Sequence, residues 1–285
     1  MTVVARQPRS YLYVPGDRED RLAKAAQRGA DALILDLEDG VAVTQKDAAR
    51  ECVARFLSQA PPGPQWWVRV NGDRLAEDIA AVVRPGITGL VVPGADPDRL
   101  QQVDGLVSQA EAAAGMPAGS VPVIALLETA RAVLQVAQVA SGPRVVRLGL
   151  GEADLAGELG IQPDAERREL WPIRSTVVLA SAATGLAAPI GPVETTLRDP
   201  ERLAATSRIL LRQGFRARTA IHPEQLSVIH AVFTPTTEEV ARAREVIERW
   251  EAAERAGSGV AVGPGGQMLD AAVIRSAREV LSRAE

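Results

Sequence analysis

Lysine is almost missing from this chain. Lys24 and Lys46 are its two lysines, against 30 arginines. Both fall in charged stretches of helical spacing, EDRLAKAAQ and TQKDAAR, and read as solvated surface. A Schiff-base lysine needs a desolvated position at a strand end, so imine chemistry has no candidate. Histidine is equally scarce: His222 and His230, with the single cysteine Cys52, argue against a Cys/His zinc site. One cysteine also excludes an intrachain disulfide framework and fits a reducing compartment. Cys52 has an inward spacing in DAARECVARFL and is expected to be a core thiol. No run approaches the roughly 18 apolar residues of a membrane span, and MTVVARQPRS lacks the apolar region of a signal peptide. The expectation is a cytoplasmic protein. Charge of neither sign dominates. The net −4 is spread along the chain, with no basic stripe for nucleic acid or a membrane surface.

What is present is a long supply of apolar residues, 46% of 285, enough to bury a substantial core. They recur as short runs separated by helical patterns. Strands are expected at Ser10–Val14, Ala32–Leu37, Trp66–Val70, Gly89–Val92, Val121–Leu127, Val145–Leu150, Ala187–Ile190 (the weakest) and Arg218–Ile221. Continuous apolar runs such as ALILDL suit strands buried on both faces, as in parallel sheets. Asp17 and Thr44 are expected to cap the first two helices. Eight strand–helix units over about 220 residues favour a closed (β/α)8 TIM barrel over an open doubly wound sheet. The expected division is a barrel over 1–235 and a C-terminal helical extension over 236–285. The extension contains a charged helix, Glu238–Arg255, the glycine-rich AGSGVAVGPGGQ, expected to be mobile or turn-forming, and an amphipathic helix, Asp270–Ala284.

With Lys, His and Cys so scarce, polar chemistry must rest on carboxylates, arginine and backbone. A metal held by such groups is a hard cation, Mg²⁺ or Mn²⁺. The expected strand ends carry these groups. Asp36, Glu38 and Asp39 lie at or after the second strand, Arg69 ends the third, and Glu128 follows the fifth. Glu152 and Asp154 follow the sixth, and His222 the eighth. In a barrel these ends converge on one mouth, where ligands bind. So many acids in one mouth repel each other unless a cation and an arginine compensate. The competing reading is that each acid is a cap or first-turn residue favourable to a helix dipole. Gly149-Leu150-Gly151 is not a dinucleotide fingerprint, because Asp154 stands where a third glycine belongs.

Seven pieces of the chain then carry a resemblance: SYLYVPGD (Ser10–Asp17), GADALILDLEDGV (Gly29–Val41), VRVNG (Val68–Gly72), ALLETARAVL (Ala125–Leu134), LGLGEADLAGELG (Leu148–Gly160), AIHPEQLSVIHAVFTPT (Ala220–Thr236) and GGQMLD (Gly265–Asp270). In this order the chain resembles the citrate lyase beta-subunit family of carbon–carbon lyases, relatives of malyl- and citramalyl-CoA lyases. The resemblance implies a barrel of the phosphoenolpyruvate/pyruvate type, assembled as a homotrimer and using Mg²⁺. It implies cleavage of a citryl- or malyl-type 3-hydroxyacyl thioester, on CoA or an acyl carrier, to a 2-oxo acid such as oxaloacetate and an acyl thioester. Arg69 then binds substrate and assists catalysis, Glu128 binds metal and substrate, and Asp154 is the second metal ligand. Asp36, Glu38 and Asp39 hold metal-bound waters, and Asp270 does acid–base work from an extension that reaches over a neighbouring subunit's site. Alternatives stay open: an acyl-CoA thioesterase, a malate-synthase-like condensing enzyme, or the citryl-carrier lyase subunit of a larger complex. The chain departs from relatives at Gln267, at Ala217-Arg218 and in GPVETTLRD (Gly191–Asp199), which leaves the acyl group and carrier undecided. For His222 a structural role is expected.

Overall fold

A computed structural model describes residues 7–258, 261–263 and 265–284. Residues Pro8–His230 form one compact unit. Its eight strands are β1 Ser10–Pro15, β2 Ala32–Asp36, β3 Gln65–Arg69, β4 Gly89–Val92, β5 Val123–Leu127, β6 Val145–Leu150, β7 Ala187–Gly191 and β8 Ala217–Ala220. They pair in sequence order, all parallel, and β8 closes on β1. Parallel strands need crossover connections, and helices α1 Glu19–Ala25, α2 Lys46–Leu57, α3 Leu75–Val82, α4 Pro97–Ala113, α5 Ala130–Leu134, α6 Val136–Ala140, α7 Glu152–Leu159, α8 Trp171–Ala183 and α9 Pro200–Gln213 supply them. α10 Gln225–Phe233 follows the last strand. This is the expected (β/α)8 barrel.

Side chains alternate along each strand, so every second residue points into the barrel. Tyr11, Ala32, Ile34, Trp67, Val91, Ile124, Leu126, Ile190 and Ala217 form one buried cluster on that inner face. The same alternation carries Tyr13, Asp36, Arg69 and Glu128 one step further along β1, β2, β3 and β5. The polar residues are therefore the last inward layer, resting on an apolar one. Deeper in the barrel, Arg147 is 2% exposed and donates to the Tyr11 hydroxyl at 3.0 Å and to the Pro8 and Ala188 carbonyls. That charge is buried because its donors find oxygens.

Several local expectations are corrected. Neither Asp17 nor Thr44 caps its helix: α1 and α2 start after Arg18 and Gln45, without side-chain caps. A one-turn 3-10 segment, Val43–Gln45, precedes α2 and takes up the residues that Thr44 was expected to open. Real caps stand at Asp96, Thr129 and Asp199, each accepting an amide three residues on. Lys46 is not solvated surface. It is 9% exposed, and its Nζ donates to the Leu37 and Glu38 carbonyls at 2.8 and 2.6 Å, pinning the loop after β2. Cys52 is buried as expected. Among the described residues no helix is long and apolar enough to cross a membrane.

The second compact unit begins at Ala231. It contains α11 Thr237–Arg255, opened by a reciprocal Thr236–Glu239 capping box, and α12 Ala271–Ala284, which packs on α11. Between them the described part of the glycine-rich stretch is ordered: β9 Ala261–Val262 pairs antiparallel with β10 Met268–Leu269. Gly259, Val260 and Pro264 of that stretch lie outside the described residues.

Candidate active site at the barrel mouth

The strand ends open into a cavity of about 1100 Å³, whose wall includes Tyr13, Asp36, Arg69, Glu128 and Asp154. One side is built on β2 and β3. Their register sets Asp36 directly beside Arg69. Asp36 accepts from Arg69 through both oxygens, Nε to Oδ1 and Nη2 to Oδ2, each at 2.7 Å. Such a fork fixes the guanidinium plane. Its third nitrogen, Nη1, lies 2.7 Å from Glu38 Oε2 and 3.4 Å from Asp39 Oδ2. The Glu38 contact is an ion pair without an aligned hydrogen bond. The Arg69 guanidinium also lies 4.8 Å over the Tyr13 ring, a cation–π contact. Burial pushes the Glu38 carboxyl up to about 8, against the pull of Arg69. Burial likewise raises the Tyr13 phenol. The three acids expected to hold metal-bound waters are thus gathered on Arg69.

The other side is built on β5 and β6. Glu128 follows β5 in an inward position, and Asp154 sits in the first turn of α7, where a helix dipole favours an anion. Gly151 lies between them. A Cβ there would meet Glu128 Cβ at 2.8 Å, Glu128 Oε2 at 3.2 Å and Asp154 Oδ2 at 3.7 Å. Only glycine leaves room for both carboxylates to reach that point, so Gly151, the residue after β6, serves close approach. Neither acid has an ion-pair partner among the described residues. Burial, and then the Asp154 charge, push Glu128 up to about 7, opposed by the Gly94 amide.

Two acids facing each other without a cation suit a divalent ion. No group of three His, Cys, Asp or Glu side chains forms a metal cage among the described residues. Mg²⁺ does not need one: it is commonly held by one or two carboxylates, with waters and substrate oxygens completing its shell. The residues present therefore fit Mg²⁺.

Glu152, prominent in the sequence, is not free for chemistry. It is 1% exposed and bound by Arg174 at 2.5 and 2.9 Å and by Arg167 at 3.0 Å. His222 does not belong to the core. It is partly exposed at the cavity wall, its Nδ1 near Glu224 and accepting the Glu224 amide. Arg218 is buried at 1%, donating to the Pro192 carbonyl, Thr206 and Ser207 and facing Glu194 at 3.6 Å, so this departure from relatives is held inside the fold. Asp270 lies in the second unit as the cap of α12, Oδ1 accepting the Ala272 and Val273 amides at 2.9 Å each. Arg167, Arg174 and Glu194 were not foreseen; their partners are distant in sequence and no local pattern marks them.

A model of the HpcH/HpaI aldolase/citrate lyase family matches residues 9–223. The (3S)-malyl-CoA thioesterase of Cereibacter sphaeroides is 35% identical over 281 residues, covering 97% of this chain and 94% of that protein. CitE from Mycobacterium tuberculosis, solved with magnesium, acetoacetate and coenzyme A, is 33% identical with a TM-score of 0.76, over 98% of both chains. The citrate lyase beta subunit of the same organism, solved with oxaloacetate and magnesium, is 31% identical with a TM-score of 0.67, over 82% of this chain and 100% of that one.

Proposed function

The chain belongs to the HpcH/HpaI aldolase/citrate lyase family, and from that premise we propose that it is a Mg²⁺-dependent carbon–carbon lyase of citryl- or malyl-type 3-hydroxyacyl thioesters, releasing a 2-oxo acid and an acyl thioester. The observation that carries this reading is the Glu128–Asp154 pair, without a counter-cation, in one cavity with the fixed guanidinium of Arg69. Glu128 and Asp154 would hold Mg²⁺, which supplies Lewis-acid polarisation of the substrate's hydroxyl and carboxylate oxygens.

The chain's own residues do the rest. Cleavage passes the substrate hydroxyl proton to water, turns that carbon into a carbonyl and leaves the bonding pair on the thioester enolate, whose carbon takes a proton from an acid that solvent then reprotonates. Arg69, its plane set by Asp36, faces the oxygen on which charge develops; loss of such a group costs about 10²–10³ in rate. Asp36, Glu38 and Asp39 hold Arg69 and in this reading would order the waters of the metal. Asp270 is the proposed acid for the enolate carbon, delivered from a neighbouring copy in a homotrimer. The carrier is CoA or an acyl carrier, and the compartment the cytoplasm.

The test is a screen of purified protein with Mg²⁺ against citryl-, malyl-, citramalyl- and hydroxymethylglutaryl-CoA. Release of a 2-oxo acid supports the reading. Release of an intact hydroxy acid overturns it in favour of a thioesterase, the second reading, which the 35% identity to a malyl-CoA thioesterase favours. Turnover with metal chelated away removes the role given to Glu128 and Asp154.

A further inference from the structure

Of the cations on the cavity wall that the mechanism does not use, Arg167 is the one set by a buried ion-pair cluster. Arg167 lies in the loop between α7 and α8, with φ 55° and ψ 44°. That is the left-handed region, where an arginine is held at an energetic cost and where strain collects at ligand sites. Its side chain is only 18% exposed and lines the cavity that holds Arg69, Glu128 and Asp154.

The side chain is anchored from behind. Nη1 donates to Glu152 Oε2 at 3.0 Å. Glu152 is held in turn by Arg174, 3% exposed, through both of its oxygens. One carboxylate thus serves two guanidinium groups, and this three-residue cluster carries a surplus positive charge. Nε and Nη2 of Arg167 have no protein partner among the described residues. The result is a pre-oriented fork with spare donors on a cavity wall, the geometry that binds carboxylate or phosphate.

We propose that Arg167 is an oxyanion-recognition residue, positioned by Glu152 and Arg174, that binds a second anionic group of the substrate beyond the one facing Arg69. The assignment rests on the thioester reading above. Two parts of such a substrate carry that chemistry: a second carboxylate on the 2-oxo acid half, or a phosphate of the carrier.

The experiment measures calorimetric affinity for oxaloacetate, pyruvate and coenzyme A, with Mg²⁺ present, in the wild type and in Arg167→Gln, Arg167→Lys and Arg167→Gly. Melting temperature is recorded for each. Losing a hydrogen-bonded charge contact should weaken the affected ligand about tenfold to a hundredfold in R167Q and R167G, with partial recovery in R167K. Weakened oxaloacetate with unchanged pyruvate assigns the carboxylate. Weakened coenzyme A with both oxo acids unchanged assigns the phosphate. R167G should melt at or above the wild-type temperature, because glycine accepts this backbone without strain. A lowered melting temperature in R167G, with all three ligands weakened alike, shows an ordinary structural ion pair and overturns the proposal. So do unchanged affinities in R167Q. A wild type that binds none of the three overturns the thioester reading itself, whereas wild-type binding untouched in R167Q overturns the Arg167 assignment alone.

Discussion

Glu111 and Glu128 are the same residue type, the first buried and the second half-buried, at opposite ends of the barrel. Glu111 is on α4, 1% exposed, beside the segments that enter β5 and β6. Burial alone would raise its pKa. Arg144, at 2.8 and 2.9 Å, and the amides of Gly119 and Val121 outweigh burial and hold it at about 2. Glu128, at the exit of β5, meets Asp154 and one amide, and rises to about 7. Burial is common to both; the neighbours decide the sign. A matched carboxylate holds structure together. A mismatched one is kept at a cost to the apo fold, which is what a ligand site needs. In a barrel the two ends divide stability from chemistry in this way.

The largest effect expected is on turnover at the mismatched end. Glu128→Ala should lower kcat by about 10³–10⁴-fold, the loss of several kcal/mol of charge stabilisation. Its urea midpoint should stay the same or rise, since Asp154 loses a repelling neighbour. A clear drop in stability would break the comparison. Glu111→Ala should do the reverse. It leaves Arg144 with Asp104 as its remaining counter-charge and takes the acceptor from the Gly119 and Val121 amides, at a cost of about 3 kcal/mol. The kcat/KM of the folded fraction should not change.

Acid sharpens the same contrast. The folded pKa of Glu111, about 2, lies below its ordinary value of 4.5. Its contribution is complete above pH 4.5 and is lost as pH falls through the folded value. Full loss amounts to about 3 kcal/mol. Urea midpoints of wild type and Glu111→Ala should therefore differ most near neutral pH and converge toward about pH 2. A constant gap across that window would mean that Arg144 does not hold the Glu111 proton equilibrium.

The legible parts of this molecule are those with local signatures. β2 and β5 are buried at every position, so they stand out as unbroken apolar runs. The carboxylates and arginine at strand ends were legible too, because alternation carries them inward. What they bind was not. The Asp36–Arg69 fork depends on a register across 33 residues, and Glu111–Arg144 joins positions the same distance apart. Lys46 misled because its helix looks solvated, while its amine reaches back eight and nine residues to carbonyls. α7 has no clear signature in the sequence because its first turn is acidic and five of its eight positions are exposed, leaving a weak apolar period. Its two acids then part ways, Glu152 into a buried ion pair and Asp154 onto the cavity wall.

Asp270, in the second unit, is matched at one oxygen and open at the other. One oxygen is fully used as a helix cap, and Oδ2 has no partner among the described residues. The two roles can be separated because asparagine caps a helix about as well as aspartate does. Asp270→Ala should cost about 1 kcal/mol through the lost cap, and Asp270→Asn only a few tenths. If the carboxylate is also the acid, Asp270→Asn should lower kcat by about 10²-fold with KM nearly unchanged. Full turnover in Asp270→Asn would leave it a cap and nothing more. Mixing decides where the acid acts. An Asp270→Asn chain retains Glu128, and a Glu128→Ala chain retains Asp270. Co-assembled, they can rebuild an intact site only if Asp270 serves a neighbouring copy, so recovered activity in the mixture, absent from either parent, would place the extension across a subunit boundary.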